Sequence, residues 1–261
     1  MTNGVARDAT SEGIVHTLAA GGCVDPEGEA GLLLLAAGEG VGGIDELVAR
    51  RLGGEPLAWI AGFVWFGGVR VLVDPGVFVP RPHTEALARR AVELLPDDGV
   101  AVDLCTGSGA VAAVLHSARP NALALATDLD PVAVACARRN GIDALLGDLD
   151  EPIPSEVRGR VDVVTVVAPY VPSEELHLLP RDVLEHEPRR ALDGGNGGTA
   201  ILVRATEAAV RLLRPGGRVL LELGGDQADR IARALSDHGL ADARLLRDED
   251  GRDRAVEARR A

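Results

Sequence analysis

The chain of 261 residues contains no lysine, three cysteines and only six aromatic residues. All 27 basic residues are arginine, and 40 acidic residues give a net charge of −13. Proteins that bind along nucleic acids need a basic surface to neutralise the phosphates. The acidic balance therefore argues against a nucleic-acid partner.

The cysteines Cys23, Cys105 and Cys136 are an odd number, and no two of them form a Cys-x-x-Cys pair. This spacing predicts neither a disulfide framework nor a zinc ribbon. The histidines show no metal-ligand spacing, so we expect no metal site. A reducing, cytoplasmic location is the expectation that follows from this cysteine usage.

Long apolar runs are also missing. The longest aliphatic stretch is residues 32 to 37, far short of the roughly 18 residues that a membrane span requires. Residues 1 to 4 have neither a basic nor an apolar character, so we expect no signal peptide. The 46% hydrophobic content is typical of a globular protein, and no membrane partner is expected.

Three short apolar-periodic segments in the first 55 residues predict helices. The first contains Ile14, Val15 and Leu18, and the others span residues 26 to 37 and 44 to 52. Three such helices bury too little surface to be stable alone. We therefore predict a small helical N-terminal domain, residues 1 to 57, packed against a larger domain.

Residues 58 to 83 form a predicted linker with a β-hairpin. Valines at 69, 71 and 73 alternate with other residues, and glycines flank the run. The segment also holds five of the six aromatic residues: Trp59, Phe63, Trp65, Phe66 and Phe78. These rings fit either a core between two domains, which composition favours, or the wall of a cleft for a flat substrate.

From residue 84 onward, strand patterns alternate with helix patterns. Strands are predicted at residues 100–104, 122–127, 143–146, 161–167 and 217–223, with a final antiparallel pair at 241–246 and 252–257. This alternation predicts a largely parallel, doubly wound α/β sheet over residues 84 to 261. Ligands bind such sheets beyond the carboxyl ends of the strands.

A glycine loop closes the first of these strands and contains Gly107 and Gly109. Asp128 ends the second strand, 19 residues after Gly109, where a carboxylate can bind both ribose hydroxyls of a nucleoside. Position 112 is alanine, which the dinucleotide fingerprint tolerates. The spacing therefore predicts a nucleoside cofactor without excluding a nicotinamide one.

Two further features favour S-adenosylmethionine over a nicotinamide. Asp103 immediately precedes the loop, and an acid there suits an ammonium group better than a pyrophosphate. Asp148 follows the third strand, where it can hold an adenine amino group while Leu149 packs on the ring. The alternative for Asp148 is that it only caps a turn.

Six motifs from Gly54 to Gln227, about two-thirds of the chain, resemble the HemK/PrmC family of glutamine N5-methyltransferases. They occupy residues 54–62, 78–85, 103–109, 168–170, 187–195 and 221–224. The resemblance implies a Rossmann-like class I methyltransferase sheet behind a helical N-terminal domain that helps hold the substrate. With the loop analysis it implies S-adenosylmethionine bound by Asp103, Thr106, Gly107, Gly109, Asp128, Asp148, Leu149 and Val167.

The sequence departs from this family where the acceptor should lie. The family motif Asn-Pro-Pro-Tyr appears here as Val167-Ala168-Pro169-Tyr170. The asparagine accepts the N–H of the substrate amide, and valine cannot do so. An unpaired amide donor costs about 1–3 kcal/mol and loses its orientation. His83 also replaces the usual glutamate, and together these differences predict a changed acceptor.

Tyr170 and His83 are the predicted catalytic residues. The Tyr170 hydroxyl can orient or deprotonate a ring N–H, and imidazole titrates near neutral pH. Their alternatives are a packing residue and a surface turn residue, respectively. The predicted substrate-binding residues are Trp59, Phe63, Phe78, Pro169 and Tyr170.

Three functions remain open, in the following order. The first is methylation of a small molecule in specialised metabolism, specifically at the indole C3 of a tryptophan-containing cyclic dipeptide. The second is the family's own reaction, N5-methylation of the Gly-Gly-Gln glutamine of peptide release factors. The third is a non-catalytic binding module. The sequence does not distinguish a monomer from a homodimer.

Overall fold

Four helices form the N-terminal region in the computed structural model, which describes residues 3–248 and 250–261. They are α1 (Asn3–Ala20), α2 (Pro26–Gly38), α3 (Ile44–Leu52) and α4 (Leu57–Ala61). Leu18, Leu33 and Leu47, one from each of the first three helices, are fully buried against each other and against Ile60 of α4. The three predicted helices are confirmed, and the five-residue α4 was not predicted.

The predicted hairpin is confirmed as strands β1 (Phe63–Phe66) and β2 (Val69–Leu72), which pair antiparallel. Gly67 and Gly68 form its two-residue turn with positive φ angles of 56° and 80°, which glycine adopts without strain. The hairpin joins the two regions because Phe63 packs into the helical core, whereas Phe66 packs into the core of the larger domain.

A seven-stranded sheet forms the rest of the molecule. In spatial order its strands are β5 (Asp143–Leu146), β4 (Leu123–Asp128), β3 (Val100–Leu104), β6 (Val161–Val166), β7 (Leu213–Glu222), β9 (Asp253–Arg260) and β8 (Leu240–Arg247). The first five are mutually parallel, and β9 runs antiparallel to both neighbours. The predicted α/β sheet and its final antiparallel pair are confirmed.

Helices cover both faces of this sheet, as parallel strands require. One face packs against α5 (Glu85–Leu94), α6 (Ala110–Ala118) and α7 (Pro131–Arg139), and the other against α9 (Ala200–Leu212) and α10 (Ala228–Asp237). Successive side chains of β3 point to opposite faces of the sheet. Ala101 packs into the core under α5, α6 and α7, and Val102 packs into the core under α9 and α10. The short helix α8 (Arg181–His186) lies in the long connection between β6 and α9.

The strand order reverses at β3, since β4 and β5 lie on one side of it and β6 and β7 on the other. This switch point opens a crevice at the carboxyl ends of the strands. Within the described residues, no helix has both the length and the apolar character needed to cross a membrane.

Candidate active site

Asp103 lies near the carboxyl end of β3 and is almost completely buried. Its two carboxylate oxygens accept hydrogen bonds from the hydroxyls of Thr106 and Thr165, each at 2.6 Å. Burial raises the pKa of Asp103 to about 6, although the two hydroxyl donors oppose this shift. The fold thus holds an acidic group in a position where a neighbouring cation would stabilise its charged form.

The loop after β3 has the backbone that its glycines predict. Gly107 and Gly109 both have positive φ angles, of 58° and 81°. A Cβ atom on Gly109 would lie 3.1 Å from the Cβ of Ala137, so glycine allows α6 to start close against α7. A Cβ atom on Gly107 would meet nothing within 4 Å, which leaves the loop backbone open to the crevice.

Asp128 at the end of β4 connects two loops. One carboxylate oxygen accepts a hydrogen bond from the Gly107 amide at 2.8 Å, and the other accepts from the Asp130 amide at 2.9 Å. Burial raises the pKa of Asp128, and the two amides oppose that shift. The carboxylate is therefore fixed in position at the crevice, with lone pairs remaining for further donors.

Asp148 follows β5 and forms an ion pair with Arg204 of α9, in which Nη2 and the carboxylate oxygen are 2.7 Å apart. Leu149 next to it is buried and has a positive φ of 48°. Arg204 was not predicted as a site residue, because nothing in the local sequence of α9 indicates an ion-pair partner 56 positions earlier.

These side chains line one cavity at the switch point. Seven of the eight predicted cofactor residues lie in its wall: Asp103, Thr106, Gly107, Asp128, Asp148, Leu149 and Val167. Phe78, Leu129 and Pro169 also line this cavity. Gly109 contributes through the loop conformation instead. Three carboxylates at adjacent strand ends, beside an open glycine backbone, suit the ribose hydroxyls, the adenine amino group and the cationic methionine of S-adenosylmethionine.

A second, larger cavity of about 910 Å³ lies next to the first. The N-terminal region contributes residues 21–24, between α1 and α2, and residues 51–54, at the end of α3, to its wall. The segment after β6 contributes residues 167 to 171, except Pro169. Phe78, Arg81, Val167 and Ala191 line both cavities. The two cavities therefore meet at Val167, the position at which the sequence departs from the family motif.

Tyr170 lines the larger cavity and is held tightly on its other side. The Gln227 side-chain amide donates a hydrogen bond to the Tyr170 carbonyl at 2.7 Å. A Cβ atom on Gly224 would lie 2.5 Å from Cδ2 of the ring, so only glycine lets the ring pack there. Burial, followed by the nearby charge of Glu222, raises the pKa of the phenol.

The structure brings the two predicted catalytic residues together. The Tyr170 hydroxyl is 3.5 Å from Nε2 of His83, and that nitrogen is 3.3 Å from Oε1 of Glu222. Sequence reasoning missed Glu222, which ends β7 inside the Leu-Glu-Leu-Gly motif. A lone acid in an apolar strand was the available signal for it.

Two predicted substrate residues do not reach either cavity. Trp59 is buried, and its indole N–H donates to the carbonyl of Val77 at 3.0 Å. Phe63 is buried in the helical core. Phe78 lines both cavities and Pro169 lines the smaller one. Arg81, which was not predicted, lies 4.7 Å from the Phe78 ring and forms an ion pair with buried Glu187.

Comparisons with known proteins point to one kind of enzyme. A release factor glutamine methyltransferase of Mycolicibacterium smegmatis is 38% identical over 229 residues, which are 85% of this chain and 81% of that protein. One from Geobacter sulfurreducens is 35% identical over 219 residues, which are 82% of this chain and 76% of that protein. No protein-family model matches the chain.

A solved structure supports the fold. The 16S rRNA N2 G1207 methyltransferase of T. thermophilus, in complex with AdoMet and guanosine, aligns with a TM-score of 0.50. The alignment covers 76% of this chain and 44% of that chain, at 21% identity. The class I methyltransferase sheet predicted from the sequence is thereby confirmed, and the cofactor is S-adenosylmethionine.

The prediction of a small-molecule acceptor, methylated at an indole C3 in specialised metabolism, was wrong. The relatives that match most of the chain are named for a protein glutamine acceptor. The hypothesis also placed Trp59, Phe63 and Phe78 in the acceptor pocket, but Trp59 and Phe63 are buried and line neither cavity. Of these three rings, only that of Phe78 lines the larger cavity.

Proposed function

We propose that this chain, which belongs to the HemK/PrmC family of release factor glutamine methyltransferases, methylates a glutamine side chain of a peptide release factor. The chain is an S-adenosylmethionine-dependent methyltransferase. The observation behind the proposed acceptor is the 35–38% identity to release factor glutamine methyltransferases over more than four-fifths of the chain. A protein partner replaces the small molecule of the earlier hypothesis.

The proposed cofactor site is the smaller cavity. Asp128 would hold the ribose hydroxyls, Asp103 the methionine ammonium, and Asp148 with Leu149 the adenine. Thr106, Gly107, Gly109 and Val167 would complete the site. When bound, S-adenosylmethionine supplies a methyl group on a positively charged sulfur that becomes a neutral thioether after transfer. The carboxylates would attract the positively charged cofactor through their negative charge.

The proposed acceptor site is the larger cavity, at the junction lined by Val167. A volume of about 910 Å³ is enough for a peptide loop that presents one side chain. Phe78 and Tyr170 would contact that side chain, Pro169 would face it from the smaller cavity, and Tyr170 and His83 would act in catalysis. Because Val167 offers no hydrogen bond, orientation of the amide would depend on backbone carbonyls and on Tyr170.

The division into residues 1–57, 58–83 and 84–261 has a functional meaning in this proposal. The helical region forms one wall of the acceptor cavity, and the sheet domain forms the other. Release factors act on ribosomes, so a cytoplasmic location belongs to the same proposal.

Transfer of a labelled methyl group from S-adenosylmethionine to a purified release factor tests this function. We expect one methyl group on the glutamine of the Gly-Gly-Gln sequence, located by mass spectrometry of the digested factor. A release factor with that glutamine replaced by glutamate is the matched control and should accept no label. Binding of S-adenosylmethionine without any transfer to the factor would refute the proposed acceptor.

A further inference from the structure

A partly buried polar cluster lies behind the wall of the proposed acceptor cavity. Tyr170 forms part of that wall, whereas His83 and Glu222 are not among the residues that line either cavity. The Tyr170 hydroxyl lies 3.5 Å from His83 Nε2, that nitrogen lies 3.3 Å from Glu222 Oε1, and Glu222 also acts directly on the phenol. A polar path thus leads away from the position where the acceptor would bind.

Glu222 is unusual among the buried acids of this protein. It is 1% exposed, and its Oε2 has no hydrogen-bond partner among residues 3–248 and 250–261. By contrast, buried Glu257 is paired with three arginines, Arg90, Arg218 and Arg244. A buried carboxylate with an unused oxygen costs stability unless a proton donor or a positive charge is supplied to it.

The chemistry of amide methylation supplies such a charge. An amide nitrogen that gains a methyl group must lose one of its protons, and the proton needs an acceptor. A neutral imidazole with its proton on Nδ1 has a lone pair on Nε2, which accepts from the Tyr170 hydroxyl. After Nε2 takes up a proton, its N–H faces Oε1 of Glu222 at 3.3 Å.

We propose that Tyr170, His83 and Glu222 form a proton relay that removes the proton from the acceptor nitrogen. The Tyr170 oxygen takes the proton from the methylated nitrogen while its own proton moves to His83 Nε2, so the phenol is unchanged at the end. The imidazolium is stabilised by the Glu222 carboxylate, which makes Glu222 a positioning residue. The side chain of His83 is 27% exposed, so the proton then leaves to water.

This relay rests on the proposed function, because it requires an acceptor atom that loses a proton. Charges on other elements act on the same phenol. Arg81 and Arg254 lower the pKa of Tyr170, but burial and Glu222 outweigh them. The cluster therefore keeps Tyr170 neutral, as a group that passes a proton on must be.

Tyr170 is the only tyrosine of the chain, so tyrosinate absorbance reports on this residue alone. We expect Glu222→Gln to ionise Tyr170 at a lower pH than the wild-type protein, because a negative charge next to the phenol is removed. Glu257→Gln is the matched control, since it neutralises an equally buried acid on β9. It should lower stability without changing the ionisation of Tyr170.

The second measurement is methylation of the release factor by the same variants. Glu222→Gln should lower kcat about 10- to 100-fold with little change in KM, and Glu222→Asp should recover part of the loss. Wild-type kcat in Glu222→Gln, or an unchanged Tyr170 titration, would overturn the relay alone. If the wild-type chain methylates no release factor, both the proposed function and the relay are overturned.

Discussion

Replacement of Asp128 by alanine should weaken binding of S-adenosylmethionine. The carboxylate is fixed by the amides of Gly107 and Asp130 at 2.8 and 2.9 Å, so in the proposed site it would bind the ribose without reorganisation. A hydrogen bond to a charged group contributes about 1.5–3 kcal/mol. Loss of a single ribose bond would then raise Kd about 10- to 150-fold, and loss of both would raise it further.

Asp162→Ala is a closely matched control. Asp162 accepts a hydrogen bond from the amide of Val100 at 2.8 Å, at the opposite end of β3 from the cofactor cavity. Both variants remove a strand carboxylate that accepts a backbone N–H, and Asp162 also pairs with Arg214 at 2.6 Å, but only Asp128 faces the crevice. Isothermal titration calorimetry should show weak binding for Asp128→Ala and unchanged affinity for Asp162→Ala.

The result that would refute this reasoning is an unchanged Kd for a folded Asp128→Ala protein. Circular dichroism establishes the folding of the variant before titration. Asp128→Asn adds a further comparison, because it keeps one oxygen acceptor and the shape of the side chain. Its affinity should lie between those of the wild-type protein and the alanine variant.

Three other substitutions test the two cavities. Val167→Asn should raise kcat/KM for the release factor by about 5- to 150-fold, equivalent to about 1–3 kcal/mol. An unchanged or lower value would mean that other groups orient the amide of the acceptor glutamine. Gly224→Ala places a Cβ atom 2.5 Å from the Tyr170 ring. This variant should lower turnover about tenfold without changing cofactor affinity, and wild-type turnover would contradict the role of that ring. Asp103→Asn should weaken cofactor binding yet raise the Tm of the cofactor-free protein at pH 7. Burial raises the pKa of Asp103 to about 6, so wild-type stability falls as pH rises from 3.8 through 6, and a variant with the same pH dependence would refute this account.

Local patterns were sufficient to predict the fold and to select residues that line one cavity at the switch point of the sheet. The strands near Val100, Leu123 and Val161 were predicted because apolar runs and turn residues act within a few positions of each other. Gly107 and Asp128 were predicted because a strand end followed by a glycine loop has one common geometry at the switch point of a doubly wound sheet. Such features depend on short stretches of chain and on general rules of topology.

The acceptor side depended on contacts between distant segments. The segments that carry His83, Tyr170 and Glu222 converge near the carboxyl end of β7. No local sequence pattern indicates that these three side chains lie close together. The pairing of Asp148 with Arg204 likewise depends on the position of α9, which packs on β6 and β7 and brings Arg204 to the loop after β5. Composition favoured a core position for the aromatic residues and left a cleft wall as the alternative, and which of the two each ring occupies is decided by the core that it faces.

The acceptor itself shows the same limit. Val167 is one side chain that differs from the family motif, and from the sequence alone it indicated a new substrate. The chain around it retains the overall similarity, the cavity between helices and sheet, and the cluster behind Tyr170. A single residue determines one hydrogen bond, whereas the shape of the cavity is decided by segments such as residues 21–24, 51–54 and 179–183, which only the tertiary structure brings together.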